Sequence, residues 1–110
     1  MYKIVFFVPE GSLETVKKAL FAKGAGRNKK YSDACWQVLG HMQYKPLAQS
    51  EPAIGNHGEF IITNEYRVEM ICEGHLLEEV IAELHSAHPY EEPAYEIYPI
   101  AVSVKEIKRN

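Results

Sequence analysis

Glu65-Tyr66-Arg67-Val68-Glu69-Met70-Ile71-Cys72 carries the clearest polarity pattern in the chain. Tyr66, Val68, Met70 and Cys72 fall on one side and Glu65, Arg67 and Glu69 on the other. That period of two predicts a strand, from about Phe60 to Cys72, with one face on a core and one toward water. Downstream, Leu76, Leu77, Val80, Ile81 and Leu84 recur at helical spacing and predict a helix over His75–Ala87. Pro89 ends it, and Tyr95–Ile100 reads as another strand. The tail Ala101–Ile107 is read as a short edge strand.

Upstream, Tyr2–Val8 is rich in β-branched and aromatic residues and predicts a first strand. Ile4, Phe6 and Val8 occupy one parity and Val5 and Phe7 the other, so this strand is expected to be covered on both faces. Ser12 stands where a helix N-cap is needed. Leu13, Val16 and Leu20 mark the helix's buried stripe, and Gly24 and Gly26 its end. A second strand is expected near Ala34–Leu39, with Trp36 and Val38 on one face. An irregular excursion over residues 40–59 follows, opened by Gly40 and punctuated by Pro46, Pro52, Gly55 and Gly58.

The order strand, helix, strand, strand, helix, strand is the ferredoxin-like βαββαβ arrangement, an α+β fold with an antiparallel sheet and two helices on one face. One domain is expected over residues 1–110. Glu10-Gly11-Ser12-Leu13 and Glu73-Gly74-His75-Leu76, 63 residues apart, open the two helices as a faint internal echo. The free sheet face, with Val5 and Phe7 on it, predicts either a homo-oligomer or coverage by the segment Gln43–Gly58.

Hydrophobic residues make up 46% and charged residues 25%, a globular balance that argues against disorder. The net charge of −3 and dispersed cations argue against nucleic acid or anionic lipid as partners. The apolar run Ile4–Val8 is too short for a signal peptide or a membrane span. Two cysteines build no disulfide framework, so a cytoplasmic protein with reduced thiols is expected.

The densest polar segment is His88-Pro89-Tyr90-Glu91-Glu92-Pro93-Ala94-Tyr95. Its prolines fix φ and hold the preceding residues extended, so His88, Tyr90, Glu91, Glu92 and Tyr95 are candidate ligand-binding residues on a rigid connection. The plainer alternative is a helix stop in which His88 caps the last carbonyls. His85 and His88 share a helix face and are candidate ligands for a divalent metal ion, copper or zinc, with Glu91, Glu92 or a cysteine completing the set. His41 and His57 lie in the irregular region. Surface or capping histidines are the competing reading. Gly24-Ala25-Gly26-Arg27-Asn28-Lys29-Lys30 follows a helix, whereas phosphate-binding glycines precede one, and it reads as a helix stop with a solvated loop. Cys35 and Cys72 lie in expected strands, where a thiol is packing rather than nucleophile, and no enzyme activity is expected.

Several segments in this order resemble one family: Val8-Pro9-Glu10-Gly11-Ser12-Leu13, Gly24-Ala25-Gly26, Tyr31 with Cys35, Pro46-Leu47, Pro52-Ala53-Ile54-Gly55-x-x-Gly58, Glu65-x-Arg67-Val68-Glu69 and His88–Tyr95. Together they resemble the domain inserted in YqfO-type proteins of the NGG-interacting-factor, dinuclear-metal-centre family. The resemblance covers roughly residues 2–100. It implies a fold related to the CutA and PII proteins, which are trimers, and hence a trimer here. CutA proteins carry a similar His-Pro-Tyr-Glu-x-Pro stretch after their second helix. The family's paired-metal centre belongs to flanking domains, so the resemblance implies a free-standing copy of the insert without that chemistry. Asn28 and Lys29 stand where a hydrophobic residue and a glycine would follow Gly26, and Met42 where a second glycine would follow Gly40. The rigid His88–Tyr95 segment and the two-sided apolar first strand point to a non-enzymatic, PII/CutA-like oligomeric module holding a small ligand or protein partner at inter-subunit clefts. The alternative is a CutA-type divalent-metal binder.

Overall fold

The computed structural model describes residues 1–47 and 58–108. Four strands, β1 (Tyr2–Pro9), β2 (Trp36–Tyr44), β3 (Ile61–Cys72) and β4 (Tyr95–Pro99), form one antiparallel sheet in the order β2-β3-β1-β4. Helices α1 (Leu13–Ala22) and α2 (Leu77–Ala87) each follow a single 3₁₀ turn. The order of elements is the βαββαβ order expected.

Apolar side chains from the same parity of β1 and β3 meet the helices in one core. Ile4, Phe6 and Val8 of β1 join Val68, Met70 and Cys72 of β3, with Leu13, Val16 and Leu20 from α1 and Val80 and Leu84 from α2. Each such side chain fully withdrawn from water contributes about 1.5–3 kcal/mol. The two halves correspond at 64 residues: Val16 answers to Val80, Leu20 to Leu84, Ile4 to Val68 and Phe6 to Met70. The residues ahead of the two 3₁₀ turns, Pro9 and Glu73, share one extended conformation. The echo at 63 residues is therefore one out of step, because it matched Glu-Gly pairs rather than buried stripes.

Three local expectations are corrected. Ser12 occupies the N-cap position of α1 as expected but makes no side-chain capping bond, since the 3₁₀ turn Glu10–Ser12 leads the chain into α1. The tail forms no strand: Val104–Lys108 is a short helix, α3, opened by a reciprocal cap in which Glu106 N–H donates to Ser103 Oγ and Val102 N–H to Glu106 Oε2. The irregular excursion begins later than residue 40, because β2 runs through Gly40 to Tyr44, paired with β3 throughout. Residues 48–57 of it, His57 among them, lie outside the described residues.

On the sheet face away from the helices, Val5 is fully buried and sits between Glu69 and Glu96. Lys3 and Arg67 both pair with Glu69, at 3.1 and 3.2 Å, and the Arg67 guanidinium lies over the Phe7 ring. Val5 thus needs no partner chain to cover it. The large apolar groups left in water here are Trp36 and Val38 of β2 and Tyr98 of β4.

Two glycines make opposite demands. Gly26 has φ 72° and donates its N–H to Ile71 O at 2.8 Å, and a Cβ there would lie 2.5 Å from the Ala34 carbonyl. Gly40 has no atom near the same construction. Gly26→Ala should lower stability by about 2 kcal/mol or more, while Gly40→Ala should leave it within about 1 kcal/mol of the parent, as urea denaturation would measure.

Candidate functional site

Where β1 ends, four polar side chains converge. Pro89 forces His88 into extended backbone (φ −74°, ψ 140°), which stops α2 while His88 N–H still donates to Leu84 O at 2.9 Å. The imidazole then turns toward the sheet. Phe7 N–H donates to Ala94 O, and the Phe7 carbonyl accepts from His88 Nε2–H at 2.7 Å. The ring thereby extends the β1–β4 ladder past the start of β4. Its other nitrogen, Nδ1, accepts Tyr90 N–H at 3.1 Å. Those two bonds assign the neutral tautomer with the proton on Nε2.

Tyr90 carries the network onward. Its hydroxyl donates to Glu65 Oε2 at 3.1 Å, and Thr63 Oγ1 donates to the same oxygen at 2.7 Å. Glu65 is only 4% exposed. Burial, with the Glu65 carboxylate beside it, pushes the Tyr90 phenol up to about 12, so it remains a donor throughout the neutral range. Burial holds the His88 imidazole below its ordinary 6.5, against the opposing pull of the Phe7 carbonyl and Glu65.

The structure places the sequence-derived candidates in three groups. His88 and Tyr90 are inside the network; Glu91 and Glu92 project into solvent beside it. His85 and Tyr95 form a separate pair, Nε2 to hydroxyl 3.4 Å with the rings edge-on. Among the described residues no group of three or more His, Cys, Asp or Glu side chains is placed to hold a metal ion. With both His88 nitrogens committed, the donors among the described residues of one chain do not fit a divalent metal. Glu65 and Thr63 were missed: strand parity put Glu65 with the solvent-facing Arg67 and Glu69, and only its partner Tyr90, 25 residues on, explains its burial. The Thr-x-Glu spacing that places Thr63 Oγ1 on the same face was the available signal.

No protein-family model matches the chain. A protein of Halalkalibacterium halodurans named GTP cyclohydrolase 1 type 2 homolog is 37% identical over 101 residues, 92% of this chain and 27% of that protein. A Bacillus cereus protein related to NIF3 superposes with a TM-score of 0.80 at 35% identity, covering 90% of this chain and 25% of that one. The similarity is to one segment of NIF3-related proteins. The chain spans about a quarter of the length of the curated relatives it matches. CutA from Pyrococcus horikoshii matches over nearly its whole length, 98% of this chain and 93% of that one, with a TM-score of 0.71 at 18% identity. The periplasmic divalent cation tolerance protein CutA of Archaeoglobus fulgidus gives 0.63 at 18%, covering 97% and 91%. The fold is therefore CutA-like, in a chain resembling NIF3-related proteins. No helix among the described residues is long and apolar enough to cross a membrane.

Because the folded-state pKa of His88 is depressed, its contribution to stability is present above 6.5 and is lost as pH falls through that value toward the folded one. Denaturation from about pH 8 to about pH 5 should show this loss, and His88→Ala should flatten it. His88→Ala should also lower stability by about 2–4 kcal/mol at neutral pH, by stranding Phe7 O and Tyr90 N–H. Tyr90→Phe should cost about 1–2 kcal/mol through Glu65.

Proposed function

We propose that this chain is a non-enzymatic binding module that works as a homo-oligomer, a trimer, and holds a small ligand or protein partner in clefts lined by the His88–Tyr95 segment. The observation that carries this reading is the character of β2. It is a nine-residue edge strand, Trp-Gln-Val-Leu-Gly-His-Met-Gln-Tyr, without a single Asp, Glu, Lys, Arg or Pro. Trp36 is 55%, Val38 42% and Leu39 50% exposed. Edge strands that stay single carry charges, prolines or bulges; one without them invites another chain onto its free backbone groups.

The cleft reading rests on rigidity. The His88 ring and the Tyr90 hydroxyl pin the segment at both ends of a three-residue step, so the backbone leading to Glu91 and Glu92 has little entropy left to lose. The non-enzymatic reading rests on the thiols. Burial pushes the Cys72 thiol up, away from the reactive thiolate, and its S–H donates to Glu73 O. Cys35 is half-buried beside Gln37. Reduced thiols accord with a cytoplasmic setting. A metal-binding role, which the name of the Archaeoglobus neighbour carries, needs donors beyond those the described residues of one chain bring together, with His85 the one imidazole of the helix end still open to solvent.

Native mass spectrometry of the protein as purified from cells tests the reading. Three chains per particle with retained extra mass are expected; Val38→Lys should yield monomers, and Glu91→Ala with Glu92→Ala should shed the extra mass from an intact trimer. A single-chain particle for the parent protein would overturn the assembly and the clefts with it.

A further inference from the structure

We propose that the loop Arg27–Ser32, between α1 and β2, binds a small multiply charged phosphate anion, an oligophosphate or a phosphorylated metabolite. The site is independent of the His88 network, since Gly26 joins the loop to Ile71, at the end of β3 opposite Glu65. Arg27, Asn28, Lys29, Lys30, Tyr31 and Ser32 line an open cleft of about 340 Å³.

Three observations point to an anion. First, Arg27, Lys29 and Lys30 place three cations within four residues, and none pairs with a carboxylate among the described residues. Of the acids near this end, Glu79 pairs with Lys23, Glu73 lies 3.6 Å from His75, a charge pair only when that imidazole is protonated, and Asp33 is the loop's own acid. A positive island on a chain of net charge −3 concentrates anions locally within a Debye length of about 8 Å. Second, the loop is built rigid. Lys30 and Tyr31 N–H both donate to Asn28 Oδ1, at 2.9 and 2.8 Å; Asn28 N–H donates to Tyr31 O, and Ala34 N–H to Gly26 O. The backbone from which the three cationic side chains emerge is therefore fixed. Third, the guanidinium and the Tyr31 and Ser32 hydroxyls supply directional donors beside the two ammonium groups, with Tyr31 68% exposed.

Isothermal titration with inorganic tripolyphosphate provides the test, with amide chemical shifts recorded in parallel. Saturable binding is expected, weakening as salt rises, with shifts confined to residues 26–34. The Arg27→Ala/Lys29→Ala/Lys30→Ala variant should bind about tenfold more weakly or worse, with thermal unfolding unchanged. The proposal is overturned by absent binding in the parent protein, by unchanged affinity in the triple variant, or by sulfate competing equally at matched ionic strength. Tighter binding of a polyglutamate peptide would overturn it too, and would reassign the loop to an acidic protein partner.

Discussion

Everything in this molecule depends on β1 being enclosed from four directions. Its backbone is paired with β3 on one edge and β4 on the other. Its even-numbered side chains meet both helices, while Val5, on the opposite face, is buried between Glu69 and Glu96. An interior strand of this kind leaves no unpaired N–H or C=O along its length, which is what buried backbone requires. The difficulty arises only at its end. There β4 has not yet begun, and the Phe7 carbonyl would be left without a donor.

The His88 imidazole solves that problem, and the polar site is a by-product of the solution. Bringing a histidine ring to Phe7 requires α2 to stop at a fixed place, which Pro89 enforces. The second ring nitrogen then holds Tyr90, and Tyr90 makes it tolerable to bury Glu65. A single backbone vacancy thus organises residues from β1, β3 and the α2–β4 connection. Networks of this type gain strength in a low-dielectric setting because every member is satisfied, and the loss of one member is felt by all.

The buried stripes of both helices were legible because Leu13, Val16, Leu20 and Leu77, Val80, Leu84 repeat at a period nothing else produces. The first strand was legible at both ends to within a residue, and the second near its start but not at its end: Gly40 reads as a breaker, yet within a ladder paired to Glu65 it simply continues the strand. The tail was misread for a comparable reason. Val102 and Val104 alternate like a strand, while the decisive signal was the Ser103-x-x-Glu106 box and the Val104–Ile107 helical spacing. The candidate site was half legible. His88 and Tyr90 stand in a conspicuous proline-framed segment, but their partners Phe7, Thr63 and Glu65 are distant in sequence and carry no local mark. A hydrogen bond spanning 81 residues leaves no trace in a periodicity.

The central position of β1 also has a consequence in time. Both of its neighbours come from the C-terminal half of the chain, the nearer beginning at Ile61 and the other at Tyr95. During synthesis, at about 5–20 residues per second, the run Ile4-Val5-Phe6-Phe7-Val8 emerges seconds before either strand that pairs with it, with only α1 at hand to cover one face. Contacts of such long sequence separation also slow the search itself. This domain is therefore at its most aggregation-prone while still unfinished on the ribosome, and its nascent N-terminal strand is the segment on which a chaperone would have most to do.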